Sequence, residues 1–127
     1  MNQEDKELLL KDLTARLPYG VKCTTKSSWN GIYTIVGYKD NRFFLDCPIY
    51  DEGDDEWMIE SIVPYLRPMS SMTKEEKLMY EGLMIGTDNV SYMLDVIDWL
   101  NSNHFDYHGL IPKGLAIEVT EENNPYE

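Results

Sequence analysis

The chain has 127 residues, 43% of them hydrophobic, and 23 acidic against 11 basic residues give a formal net charge of −12. That length suits one domain with a real core, and nine tyrosines, three tryptophans and three phenylalanines argue against wholesale disorder. Both halves are acidic, so direct nucleic-acid binding, which draws its affinity from Lys and Arg on phosphates, is disfavoured, and so is an anionic membrane.

Residues 3–17 read as a helix: Leu10, Leu13 and Leu17 fall at i, i+3 and i+7, and Leu9 widens the stripe. Glu4, Asp5 and Glu7 occupy its first turn, where the helix dipole favours negative charge, and Pro18 and Gly20 stop it. Residues 21–66 read as β structure. Val21 to Thr25 is a short strand, and the segment 26–31 is a loop with Asn30-Gly31 as its turn signal. Ile32 to Tyr38 and Arg42 to Asp46 form a hairpin about Asp40-Asn41, and Gly37 marks a bulge. A short strand at Trp57-Met58-Ile59 follows the acidic run 51–56. Pro64 and Pro68 forbid a long helix over 61–68, leaving a helical turn or an extended crossing.

Thr73-Lys74-Glu75-Glu76 is a capping box that opens a helix over 73–84. Thr87 or Asp88 caps the next helix, which runs to about Asn103. Val90, Met93, Leu94, Ile97 and Leu100 make one broad apolar stripe on it, and Tyr92, Val96 and Trp99 make a second. Together they are wider than a surface helix needs. Leu115 to Val119 reads as a last strand, and 121–127 as a frayed acidic tail after a single domain over 1–120. The fold class is therefore α+β. An N-terminal helix and two C-terminal helices pack on a small, bent, mostly antiparallel sheet, with a partial barrel as an option.

Chemistry-bearing motifs are scarce. Cys23 and Cys47 form neither a zinc motif nor a disulfide framework, and no phosphate loop, dinucleotide loop or nucleophile elbow occurs. Nothing in the sequence asks for a metal or a cofactor, and no catalytic residue is assigned. The run Asp51, Glu52, Asp54, Asp55 and Glu56 lacks the EF-hand spacing and reads as a solvated loop or as a dock for a basic partner. His104 and His108 lie four apart around Asp106, without the Glu of a zinc-protease motif. They read as a helix exit, with His104 at the helix end and Asp106 capping the next turn. Tyr92, Val96 and Trp99 read as second-layer core or, if exposed, as a contact patch. The acidic N-terminal residues lack a signal-peptide pattern and no apolar run is long enough to span a bilayer, which together predict a cytoplasmic protein with reduced thiols.

Three stretches carry a resemblance: residues 8–13 with Arg16-Leu17-Pro18-Tyr19-Gly20-Val21; Pro64-Tyr65-Leu66-Arg67-Pro68-Met69-Ser70-Ser71-Met72-Thr73; and Trp99-Leu100-Asn101 with His104-Phe105-Asp106-Tyr107 and Gly109-Leu110-Ile111. Together they resemble a family of small uncharacterised proteins of gut anaerobes, often near phage or other mobile-element genes. That family has no assigned activity, so the resemblance implies an accessory or host-interaction role and transfers no site residue.

The leading expectation is a non-enzymatic interaction protein, an accessory factor of a mobile element, that binds a basic partner. One version has its carboxylates mimic DNA phosphates. The alternative is a small enzyme or ligand-binding domain, its pocket lined by the acids near 46–56 or by His104, Asp106 and His108. A homodimer through helix 88–103 is the third.

Overall fold

The computed structural model describes residues 1–26, 28–46, 55–85 and 90–126, without the side chains of 28–30, 55–56 and 90–92. The first helix, α1 (Gln3–Ala15), starts at Asn2, whose side chain accepts the Asp5 backbone N–H at 2.7 Å. This satisfies one of the donors that every helix start leaves open. Leu9 and Leu13 are buried. A 3₁₀ turn over Leu17–Tyr19 ends at Gly20, whose φ of 66° suits a residue without Cβ.

The chain then runs through β1 (Lys22–Thr25), β2 (Ser28–Lys39), β3 (Arg42–Asp46), β4 (Asp55–Trp57) and β5 (Ile62–Pro68). Each pairs antiparallel with a neighbour, in the order β4-β3-β2-β1-β5. The Asp40-Asn41 hairpin is present, with φ of 53° and 64° at the two residues. These are the positive values that match the twist of the flanking strands. Gly37 lies at a register shift between β2 and β3, so the expected bulge is there.

Two expectations need revision. The segment 28–31 is strand, not loop: β2 begins at Ser28, paired with Thr25, and the chain turns at Lys26 instead of Asn30-Gly31. The segment 62–68 is a sheet strand with two prolines in it. Ser61 O accepts the Lys26 N–H, so period-two alternation turns 61, 63 and 65 toward β1. Pro64 then faces the other edge, where its missing N–H leaves no gap in that ladder.

After β5, a 3₁₀ turn at Met69–Ser71 leads to α2 (Lys74–Met84) and α3 (Val90–Ser102). The capping box is complete: Glu76 N–H donates to Thr73 Oγ1, and Thr73 N–H donates to Glu76 Oε1. Two-residue strands β6 (Phe105–Asp106) and β7 (Ile117–Glu118) then pair parallel with β5. The result is an α+β fold on a mixed, mostly antiparallel sheet that does not close into a barrel.

There are two cores. Leu9 and Leu13 of α1 pack on Val21, Cys23, Ile35, Phe43, Ile62 and Leu66 of the sheet. Met72, Val96, Leu100 and Phe105 form the second, which seats α2 and α3 beside β5 and β6. Within the acidic C-terminal stretch, Tyr126 docks on the sheet, as described below.

Candidate functional site

Three places gather polar or apolar groups in ways that packing alone does not require. The first lies under α1. Asp12 and Arg16, one helical turn apart, are both fully buried, and Arg16 Nε and Nη2 donate to the Asp12 carboxylate at 2.6 and 3.1 Å. Arg16 Nη2 also donates to Phe105 O at 2.6 Å, and its guanidinium lies over the Tyr107 ring at 5.1 Å. His108 Nδ1 meets the second Asp12 oxygen at 2.7 Å. Arg16 Nη1 is enclosed and has no partner among the described residues.

This cluster ties α1 to the 105–108 turn. Asp12 orients His108 as an acid–base pair would be oriented. The described free thiol, Cys23, is of no use to it, because burial pushes that thiol up to about 12 and holds it protonated. Asp106 is also structural: its two oxygens accept the Leu110 and Ile111 N–H groups at 2.8 and 2.9 Å, capping the next turn. Asp12 and Arg16 escaped the sequence reading, yet their i, i+4 spacing beside Leu9 and Leu13 puts both on the buried face.

The second place is a cavity of about 700 Å³ beside the end of β5, lined among others by Arg67, Ser71, Ser102, His104, Thr120 and Tyr126. His104 ends α3 with φ of 63°, the left-handed region that side chains rarely adopt. Its ring stacks on Tyr126 at 3.7 Å and 9°, and its Nδ1 is enclosed without a partner among the described residues. Burial, with Arg16, Arg67 and Lys22 nearby, lowers its pKa to about 4, so the ring is neutral at pH 7.

Tyr126 explains the fork at which this cavity opens. Cys23↔Pro64 is the last registered pair of β1 and β5, and the next residues outward are Lys22 and Tyr65. The Tyr126 hydroxyl sits between them, accepting from Lys22 N–H at 2.9 Å and donating to Tyr65 O at 2.7 Å. Farther along β5, Arg67 N–H donates to His104 O at 2.8 Å. The tyrosine and histidine thus fill the gap where β1 leaves β5 and β6 joins it. The Arg67 side chain is itself engaged: its Nη1 and Nη2 donate to Glu76 at 2.8 and 2.6 Å, and it covers the Phe105 ring at 4.2 Å.

The third place is the outer face of α2 and α3. The two apolar stripes of α3 are divided between core and surface. Val96 is 6% exposed and Trp99 is half-buried between Tyr80 and Phe105, so both belong to the second core. Tyr92 is in α3, but its side chain lies outside the described residues. Of the other stripe, Leu100 is buried in the second core, whereas Met93, Leu94 and Ile97 are exposed, with Leu94 at 57%. Leu78, Met79, Met84 and Ile85 are exposed as well, Ile85 at 85%. Met84, Met93, Val96 and Ile97 line a shallow apolar groove of about 270 Å³ between the helices.

Of the acidic run, Asp51, Glu52 and Asp54 lie outside the described residues. Asp55 and Glu56 belong to β4, paired with Leu45 and Phe44, and their side chains are not described. Among the described residues, no group of three or more His, Cys, Asp or Glu is arranged to hold a metal. No described helix is long and apolar enough to cross a membrane. No protein-family model, curated protein or solved structure matches the chain.

Proposed function

We propose that the protein is a non-enzymatic interaction module whose α2–α3 face docks an amphipathic, basic helix of a partner protein. The observation that carries this reading is the groove between the helices, walled by the exposed Met84, Met93 and Ile97, with Leu94 and Ile85 also exposed beside those residues in sequence. Apolar patches rimmed by polar groups are a common mark of protein contact surfaces. A shallow groove with apolar residues at helical spacing suits a helix laid into it. Met84 and Met93 in its wall have flexible, polarisable side chains that adapt to a partner.

Charge selects the partner's chemistry. α3 carries Asp95 and Asp98 and no base, and the two lysines of α2, Lys74 and Lys77, lie in its first half, away from Met84 and the groove. Asp95 and Asp98 lie on the side of α3 away from the groove, Asp98 accepting from the Tyr19 hydroxyl, so the acid nearest the groove is Glu81, one turn before Met84, within a chain of net charge −12. A second copy would bring like charges together there, whereas a helix flanked by Lys or Arg would not. An accessory role beside mobile elements rests on the resemblance of three sequence strings alone.

The reading is tested by calorimetry with two synthetic peptides of one Leu/Lys composition, one ordered as an amphipathic helix and one scrambled. The ordered peptide should bind at least tenfold more tightly, and Leu94→Ser with Ile97→Ser should remove that margin while leaving the circular dichroism spectrum unchanged. Equal affinity for both peptides would reduce the effect to charge alone and overturn the groove reading. So would a stable homodimer that both substitutions dissolve.

A further inference from the structure

The cavity at the β1–β5–β6 fork is separate from the helical face and has a different character. We infer that it is a binding site for a small neutral, hydroxyl-rich molecule of the sugar or polyol class. Its volume of about 700 Å³ lies within the range of small-molecule sites and leaves room for a mono- or disaccharide.

The groups around it exclude charged ligands. Arg67 lines the cavity, but both its terminal nitrogens are engaged by Glu76, and Glu121 stands on the rim. An anion would find no unpaired cation and would face a carboxylate. A cation would find Glu121 as the one carboxylate among the described lining residues. A neutral ligand meets neither penalty.

The hydrogen-bonding groups are mixed, which is what hydroxyls require. Ser71 Oγ donates to Pro68 O and Ser102 Oγ donates to Trp99 O, so each keeps only lone pairs for a ligand. Asn103 spends its amide N–H groups on Trp99 O and Ser102 Oγ and leaves its oxygen as an acceptor. Asn124 does the opposite: its oxygen accepts the Tyr126 N–H, which leaves its amide as a donor. The Thr120 hydroxyl can play either part.

The experiment is a titration of the ¹⁵N-labelled protein with glucose, N-acetylglucosamine, cellobiose and, separately, inorganic phosphate, followed by amide chemical shifts. At least one sugar should give saturable shifts confined to residues 67–73, 102–104 and 119–126. Thr120→Val removes the hydroxyl at equal volume, and Asn124→Asp keeps the oxygen that holds Tyr126 while removing the donor. Each should weaken that sugar about tenfold with the remaining spectrum unchanged. No saturable shift with any sugar at tens of millimolar, or saturation by phosphate alone, would overturn the inference. Sugar-induced shifts indifferent to both substitutions would overturn it too, by placing the ligand elsewhere.

Discussion

At the scale of single residues, the Asp12–Arg16–His108 cluster shows how burial changes the value of a charge. Two ions fully removed from water are tolerable only while each has the other. Asp12→Leu would leave Arg16 charged, enclosed and unpaired, and should cost about 3–5 kcal/mol in urea denaturation. The double change Asp12→Leu with Arg16→Met should cost clearly less than Asp12→Leu alone, because no charge is then left behind.

Two other residues set the pH dependence. Burial lowers the folded pKa of His104 from 6.5 to about 4. Between those values the unfolded chain takes up a proton that the folded chain refuses, so stability falls as pH drops from 6.5 to 4. His104→Phe keeps an aromatic ring against Tyr126 and should flatten that part of the curve. Glu76 is lowered from 4.5 to about 2 by its hydrogen bonds to Arg67. Its contribution is present above pH 4.5 and is lost as pH falls toward 2, and Glu76→Gln should remove that lower portion. Denaturant midpoints measured from pH 2 to 8 separate the two windows.

At the scale of elements, local signals were legible and long-range ones were not. The leucines of α1, the Thr73 capping box, the Asp40-Asn41 turn and the Gly37 bulge all act between residues close in sequence. A spacing rule therefore found them. Asn30-Gly31 misled because β2 runs on through it: the dipeptide falls where the register shifts between the Cys23↔Tyr33 and Thr25↔Ser28 pairs. Pro64 misled because its fit depends on which edge of β5 faces β1, a fact set by distant partners. The same limit hid the Tyr126 bridge, which reaches Tyr65 across 61 positions. Tyr126→Phe would leave two backbone groups without that partner at the fork and should cost about 1–3 kcal/mol. Asn41→Val, at a φ of 64°, should cost about 1–2 kcal/mol by the strain of a β-branched residue in the left-handed region. Thermal denaturation checks both.

At the scale of the whole molecule, the two cores divide the labour. The α1–sheet core holds most of the fully buried apolar side chains, whereas the second core holds α2 and α3 and leaves Met84, Met93, Leu94 and Ile97 exposed. The sequence showed that α3 carries more apolar surface than it can hide. It did not show which stripe turns inward, because that choice depends on where Tyr80, Phe105 and Met72 stand. Val96 and Trp99 won the interior by packing against them, and Met93, Leu94 and Ile97 were left outside.

The measurement that bears most directly on this account is the affinity of the ordered Leu/Lys helix for the wild-type protein and for the Leu94→Ser/Ile97→Ser variant, at low and high salt. The account predicts tight binding that survives added salt in the wild type, since apolar contact is not screened, and a loss of at least tenfold in the variant. Binding that vanishes with salt and is equal in the two proteins would contradict it.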